Sequence, residues 1–141
     1  MSMDTEAYKQ LADRVWDEVW HDGDLSRLDA LFTPDFVRHD PGGRALHGVE
    51  QNRQFVSGLR AAFPDLRFTT DDQIAAGDKV VVRYHFEGTN LGNFQGMPPT
   101  QKRVTYTGVL IYRIAEGKIA EQWTEFDLLS MLQQLGVVPT A

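Results

Sequence analysis

Hydrophobic and polar positions along the chain change their period once. Over residues 4–22, "DTEAYKQLADRVWDEVWHD", Tyr8, Leu11, Ala12, Val15, Trp16 and Val19 recur at helical spacing. Gly23 suits the position just past that helix, and Asp24 suits the cap of a short second one, "LSRLDALF". "TPDFVRHDPG" then turns the chain. A third helix begins near Gly48, carries Val49, Val56, Leu59 and Phe63 on one side, and stops at Pro64. Beyond it "LRFTTDDQIAA", "KVVVRYHFEGT", "KRVTYTGVLIYRI" and "IAEQWTEF" alternate as strands do. Between the second and third of these lies a long Gly- and Pro-rich loop, "NLGNFQGMPPTQ", of the kind that often covers a site. Asp127 opens a last helix, "LLSMLQQL", which Gly136 closes. Helices first and a run of antiparallel strands after them predict an α+β fold, with helices on one face of a curved, mostly antiparallel sheet. Its 141 residues suit a single domain, 1–141, with a real core.

Strand register decides which side chains face that core, because a slip of one residue moves every side chain to the other face. In the hairpin "YRIAEGKIAEQW" a two-residue turn at Glu116-Gly117 would set Tyr112 opposite Glu121. A three-residue loop with Gly117 left-handed would pair Arg113 with Glu121 and Ile111 with Trp123. The second register is preferred, since it puts opposite charges and apolar partners directly across the strands. Leu110, Tyr112, Ile114, Ala120, Gln122, Thr124 and Phe126 then share a neutral, inward face. Glu121 and Glu125 go outward, because an uncompensated buried charge costs several kcal/mol, on the order of its desolvation penalty. Ile111 and Trp123 share that outer face and suggest a second subunit there. Asp127 suits a helix N-cap, with a pocket role also open.

Composition narrows the class. With 42% hydrophobic and 11% aromatic residues the chain reads as globular, and its apolar runs are too short to cross a bilayer. The start of the chain has no basic and apolar leader pattern, so a cytoplasmic address is expected. The absence of cysteine excludes disulfides, thiolate metal sites and a cysteine nucleophile. A net charge of −6 with scattered basic residues argues against nucleic acid. The four histidines lack a ligand spacing, so no metal is expected.

"GMPPTQKRVTYTGVLIYRIAEGKIAEQW" followed by "DLLSMLQQLG", together with "FTPDFVRHDP" and "GVEQNRQFVSGLRAAFPDL", resembles the SnoaL-like polyketide cyclases of the nuclear-transport-factor-two-like superfamily. The likeness spans nearly the whole chain. It implies a cone-shaped α+β barrel enclosing a pocket and a homodimer through the outer sheet face. It also implies cofactor-independent acid–base chemistry on a hydrophobic, polyketide-like small molecule, with a pocket aspartate as general acid and base. Aligned through "GKI", Thr124 stands at that aspartate. Gln122 stands where the family often has His, Asn90 in "GTNLG" at another His, and Leu110 at a third. Thr, Gln and Asn can orient a ligand but cannot act as bases near neutral pH.

His39 in "RHDP" is then the best remaining acid–base group, with an ordinary pKa near 6.5; the family often has a pocket-facing His here. A His held in a turn by backbone hydrogen bonds is the competing reading. Strand alternation would turn Asp40 away. His21, at the end of the first helix, would favour a positive charge on the dipole. His85 shares a solvated or interfacial face with Arg83 and Glu87. Trp20 and Phe55 match lining positions by the resemblance, and Met97 sits in the covering loop. Three functions fit: an acid–base enzyme of this family, a non-catalytic binder of small molecules on the same scaffold, or a related hydroxylase or epoxide-opening enzyme.

Overall fold

The computed structural model describes residues 5–140; Met1–Asp4 and Ala141, including the first residue of the expected helix, lie outside them. Helix α1 (Thr5–Arg14) buries Tyr8, Leu11 and Ala12. It runs on into a wider π-helical segment, Val15–His21, that buries Val15, Trp16, Val19 and Trp20. Gly23 follows with φ of +70°. Asp24 caps the short 3-10 turn Leu25–Arg27 through the Ser26 amide, and α2 (Leu28–Leu31) follows. The remaining elements are β1 (Phe32–His39), β2 (Ala45–His47), α3 (Gly48–Ala62), β3 (Arg67–Ala76), β4 (Lys79–Thr89), β5 (Arg103–Ala115), β6 (Lys118–Phe126) and α4 (Leu128–Leu135). Among the described residues no helix is long and apolar enough to cross a membrane.

The six strands form one sheet in the order β2-β1-β6-β5-β4-β3. All neighbours are antiparallel except β1 and β6, which run parallel. The edges β2 and β3 do not pair, so the cone-shaped α+β arrangement stays open and does not close into a barrel. On β4 and β5 alternation is strict: Val80 faces Tyr112, Val82 faces Leu110 and Phe86 faces Tyr106, all buried on the inner face. The helices cover that face, which places Val19, Phe36, Phe63, Phe86 and Ile119 in one core without contact with solvent. Each such side chain contributes roughly 1.5–3 kcal/mol of transfer free energy.

Two local expectations are corrected. The stretch "TPDFVRHDPG" is largely strand: β1 runs through it to His39, and the turn comes at Pro41–Gly43. The β5–β6 hairpin does pair Arg113 with Glu121 and Ile111 with Trp123, but by another device. Glu116 and Gly117 both take left-handed φ, +54° and +77°, as a two-residue turn requires. Ala120 is then left unpaired between Ile119 and Glu121, a bulge that resets the register. The Gln122/Thr124 face therefore does turn inward, both residues being buried. Ala120, the bulged residue, is buried too.

His21 also departs from expectation. Its Nε2 accepts a hydrogen bond from the Phe68 amide at 3.0 Å, which requires the neutral ring. Burial first, and then Arg67, hold its pKa below the ordinary 6.5. Tertiary packing against β3 thus overrides the helix dipole. His85 lies on the outer face beside Asp71, 3.0 Å from its carboxylate.

Candidate active site

A cavity with about 100 Å³ open to the centres of water molecules lies between the inner sheet face and the helices. Eight aromatic side chains stand on its wall. Trp16 stacks flat on Phe68, with centroids 4.4 Å apart, and Trp20 meets Phe55 edge-on. Tyr84, Tyr106 and Phe126 continue the wall on the sheet side, while Phe94 and the exposed Gln95 come from the loop between β4 and β5. The exposed Arg44 lies at the mouth as well. Such a lining of large apolar surface with a few polar groups is typical of small-ligand sites.

The polar groups come from adjacent strands. Because β1 runs parallel to β6, Arg38 lies opposite Gln122 and His39 opposite Trp123. One residue further along each strand, Asp40 and Thr124 both line the cavity. Gln122 Nε2 donates to Thr124 Oγ1 at 2.8 Å, which ties these two neutral side chains together. Arg38 Nε donates to Asp40 Oδ1 at 2.7 Å, with about nine-tenths of both side chains buried. The Arg38 guanidinium also lies 4.4 Å above the Phe55 ring, a cation–π contact. Asp40 is held in place by its own amide, which donates to the Arg44 carbonyl, and by the Pro41–Gly43 turn. It is the only carboxylate among the described residues lining the cavity. Burial pushes the Tyr84 phenol up to about 12 and raises Tyr106 further, so both rings remain neutral donors at any ordinary pH.

Of the sequence-predicted positions, Trp20, Phe55, Leu110, Gln122 and Thr124 stand on the cavity wall. Five do not. His39 is corrected from pocket to outer face: its Nε2 donates to Glu121 Oε2 at 2.7 Å and its ring stacks on Trp123. The parity of β1 explains the exchange, since buried Phe36 fixes residues 36, 38 and 40 inward and 37 and 39 outward. Taken as strand, "FTPDFVRHD" groups Arg38 and Asp40 with Phe36 and sets His39 on the opposite face with Val37. Asp127 is corrected from the pocket alternative to the cap alone, accepting from the Ser130 amide at 3.0 Å. Its neighbours Phe126 and Leu128 line the cavity instead.

Asn90 is corrected too, because all its polar atoms bind the protein itself. Nδ2 donates to the carbonyls of Ala62 and Gly92, and Oδ1 accepts from the amide and hydroxyl of Thr100. It ties both ends of the covering loop to the end of α3. Met97 pairs its backbone with Phe94, and it is Phe94 that reaches the cavity. Tyr112 lies in the core on the same face of β5, away from the cavity lining, buried and raised in pKa by that burial. Among the described residues no group of three or more His, Asp or Glu could hold a metal ion.

The outer face carries its own charge cluster. Glu121 joins His39 and Arg113, and these two partners hold its carboxyl below the usual range, His39 more than Arg113.

Known proteins match this arrangement along most of the chain. The model of the SnoaL-like polyketide cyclase family matches residues 10–135. The nogalonic acid methyl ester cyclase of Streptomyces nogalater is 28% identical over 120 residues, 84% of this chain and 90% of that protein. A candidate SnoaL-like polyketide cyclase from Jannaschia sp. CCS1 superposes with a TM-score of 0.89 at 28% identity, covering 99% of this chain and 98% of that one. AclR of Streptomyces galilaeus, a candidate hydroxylase, superposes with a TM-score of 0.85 at 27% identity, covering 98% and 86%. With the family model matching well over half its length and the same fold around an aromatic-walled cavity, the chain belongs to the SnoaL-like polyketide cyclase family.

Proposed function

We propose that the protein is a cofactor-independent, cyclase- or isomerase-type enzyme. It acts by acid–base chemistry on a hydrophobic, cyclic, polyketide-like small molecule held in this cavity. The observation that carries the reading is a cavity lined by eight aromatic side chains in which Asp40 is the only carboxylate among the described residues. A flat ring system gains dispersion and exclusion from water against Trp16, Trp20, Phe55 and Phe68. A carboxylate among such walls can take a proton beside a carbonyl and return it to a developing alkoxide. Asp40 thus takes the role that the family's aspartate has at the position of Thr124. Gln122 and Thr124 serve to orient the ligand. The ester cyclase of Streptomyces nogalater supports the class of reaction.

The neutral Gln122–Thr124 pair at the position of the family's aspartate favours a second reading, a binder that does no chemistry. One experiment separates the two. Fluorescence of the cavity tryptophans is titrated with a panel of polycyclic aromatic ketones, and the mixtures are assayed chromatographically for rearranged product. Binding with turnover in the wild type, and binding without turnover in Asp40→Asn, is the expected result. Tight binding without product for every competent polyketide would leave the binder, and no binding would sink both.

We place the protein in the cytoplasm as a homodimer joined through the outer sheet face. Ile111 and Trp123 lie half-exposed there beside the exposed Val109, an apolar strip crossed by the His39–Glu121–Arg113 cluster. Light scattering at micromolar concentration is expected to give twice the chain mass, and a monomer would contradict the interface.

A further inference from the structure

We propose that Arg38 is itself a catalytic residue, the cation that receives the oxyanion when Asp40 takes a proton from the substrate. The substrate is accordingly a neutral carbonyl compound with an acidic C–H beside the carbonyl, and not a carboxylate. The inference rests on the cavity function proposed above and assigns the chemistry within it.

The observation is an incompletely used pair of buried charges. Arg38 Nε donates to Asp40 Oδ1. Neither terminal nitrogen of the guanidinium hydrogen-bonds any described residue, although about nine-tenths of the side chain is buried and it lines the cavity. Asp40 Oδ2 likewise has no partner among the described residues. These atoms are not sealed in the core: among the described residues Thr33 Oγ1 is the one buried side-chain nitrogen or oxygen without a partner, so the terminal N–H groups of Arg38 and Oδ2 of Asp40 stay accessible on the cavity wall. Here the free donors and the free lone pairs belong to neighbouring side chains on one cavity wall. Arg38 cannot lose its proton, so its role is to hold an anion, and Asp40 is the group that can accept one.

The step balances within the site. Asp40 Oδ2 takes the proton from carbon, the C–H electron pair forms a C=C bond, and the carbonyl π pair moves onto oxygen. The resulting enolate oxygen is held by the terminal N–H groups of Arg38, while Asp40 becomes neutral. Before the step the guanidinium faces a carboxylate, and after it the guanidinium faces the enolate, so the net charge of the cavity does not change. No unpaired charge appears among the aromatic rings, where it would be poorly solvated. Return of the proton from Asp40, to the same carbon or to an alkoxide formed by ring closure, restores the pair. A ligand arriving as a carboxylate would instead set two anions on one guanidinium.

The test uses 2-methoxycarbonyl-1-tetralone, a flat bicyclic β-keto ester, as the probe. Exchange of its C2 proton is followed in D2O above the buffer background, and binding is followed by quenching of tryptophan fluorescence. The wild type is expected to bind and to accelerate exchange. Arg38→Met is expected to bind within a few-fold but to lose about 10²–10³-fold in exchange rate, as removal of an oxyanion donor does. Exchange by a folded, ligand-bound Arg38→Met at the wild-type rate would overturn the proposal, as would binding without exchange by the wild type. Absence of binding by the wild type would instead overturn the cavity function itself. A second measurement needs no variant: methyl 1-hydroxy-2-naphthoate should bind the wild type at least about tenfold tighter than the 1-hydroxy-2-naphthoate anion, since like charges on one site repel. Tighter binding of the anion would overturn the proposal.

Discussion

Removing one member of the Arg38–Asp40 pair should damage the fold far more than removing both. The two side chains are joined at 2.7 Å, with only 10% and 9% of their surface exposed. In Asp40→Leu the guanidinium loses its carboxylate while staying over Phe55, and stranding a buried charge costs about 3–5 kcal/mol. The cavity mouth admits some water, which reduces this to about 2–3 kcal/mol, or a fall in Tm of roughly 6–10 °C for a chain of this size. Arg38→Met strands the carboxylate and is expected to cost a similar amount, also about 2–3 kcal/mol. In the double variant Arg38→Met/Asp40→Leu no charge is left, and methionine can pack on Phe55 in place of the guanidinium. Its stability should return to within about 1 kcal/mol of the wild type or exceed it, as for other buried pairs replaced by apolar groups. The coupling energy from the cycle is then at least about 2 kcal/mol. Urea unfolding followed by circular dichroism, with unchanged m-values, is the assay. A double variant as unstable as the sum of the singles would refute the reasoning, because the charges would then be solvated independently. A fold that tolerates loss of both charges would mean that the pair is kept for chemistry.

Other expectations follow from single contacts. The unfolded chain protonates His21 near 6.5, whereas burial lowers the folded value, so stability is full above 6.5 and declines as pH falls through the folded pKa. His21→Gln should flatten that part of the profile in thermal melts between pH 7 and 5, and an unchanged slope would contradict the neutral ring. A Cβ at Gly108 would lie 2.7 Å from the Tyr84 hydroxyl and 3.0 Å from the Glu125 carbonyl oxygen. Gly108→Ala should therefore cost about 1–3 kcal/mol by overpacking and weaken ligand binding, as Tyr84 is pushed along the cavity wall. Unchanged stability and affinity would refute the close approach. Thr124→Asp adds a second carboxylate to the cavity wall, at the position of the family's aspartate, where Gln122 can still donate to it. It should raise turnover of a polyketide cyclase substrate, and no gain with a competent substrate would count against this assignment of the pocket.

Local patterns carried much of the fold. Helix α1 and strands β4 to β6 follow from 3.6- and two-residue periods, because each buries one face against whatever lies beside it. The inward face of Gln122 and Thr124 was legible for the same reason: Arg113 and Glu121 pair across a hairpin only a few residues long. Even there the turn and the bulge at Ala120 compensate each other, and the sequence alone does not separate that solution from a longer loop. What tertiary structure alone decided is the pairing of β1 with β6, strands some eighty positions apart along the chain. That parallel contact sends His39 out to Glu121 and Trp123 and brings Arg38 and Asp40 in beside Gln122 and Thr124. Parity along "FVRHD" sorts these residues into two sets, but only a neighbour far along the chain determines which set meets solvent. The same holds for Asn90, whose amide looks available in a Gly-rich loop until Ala62 and Thr100 are folded onto it. The polar chemistry of this protein thus depends on long-range contacts, and the elements that carry it depend on local ones.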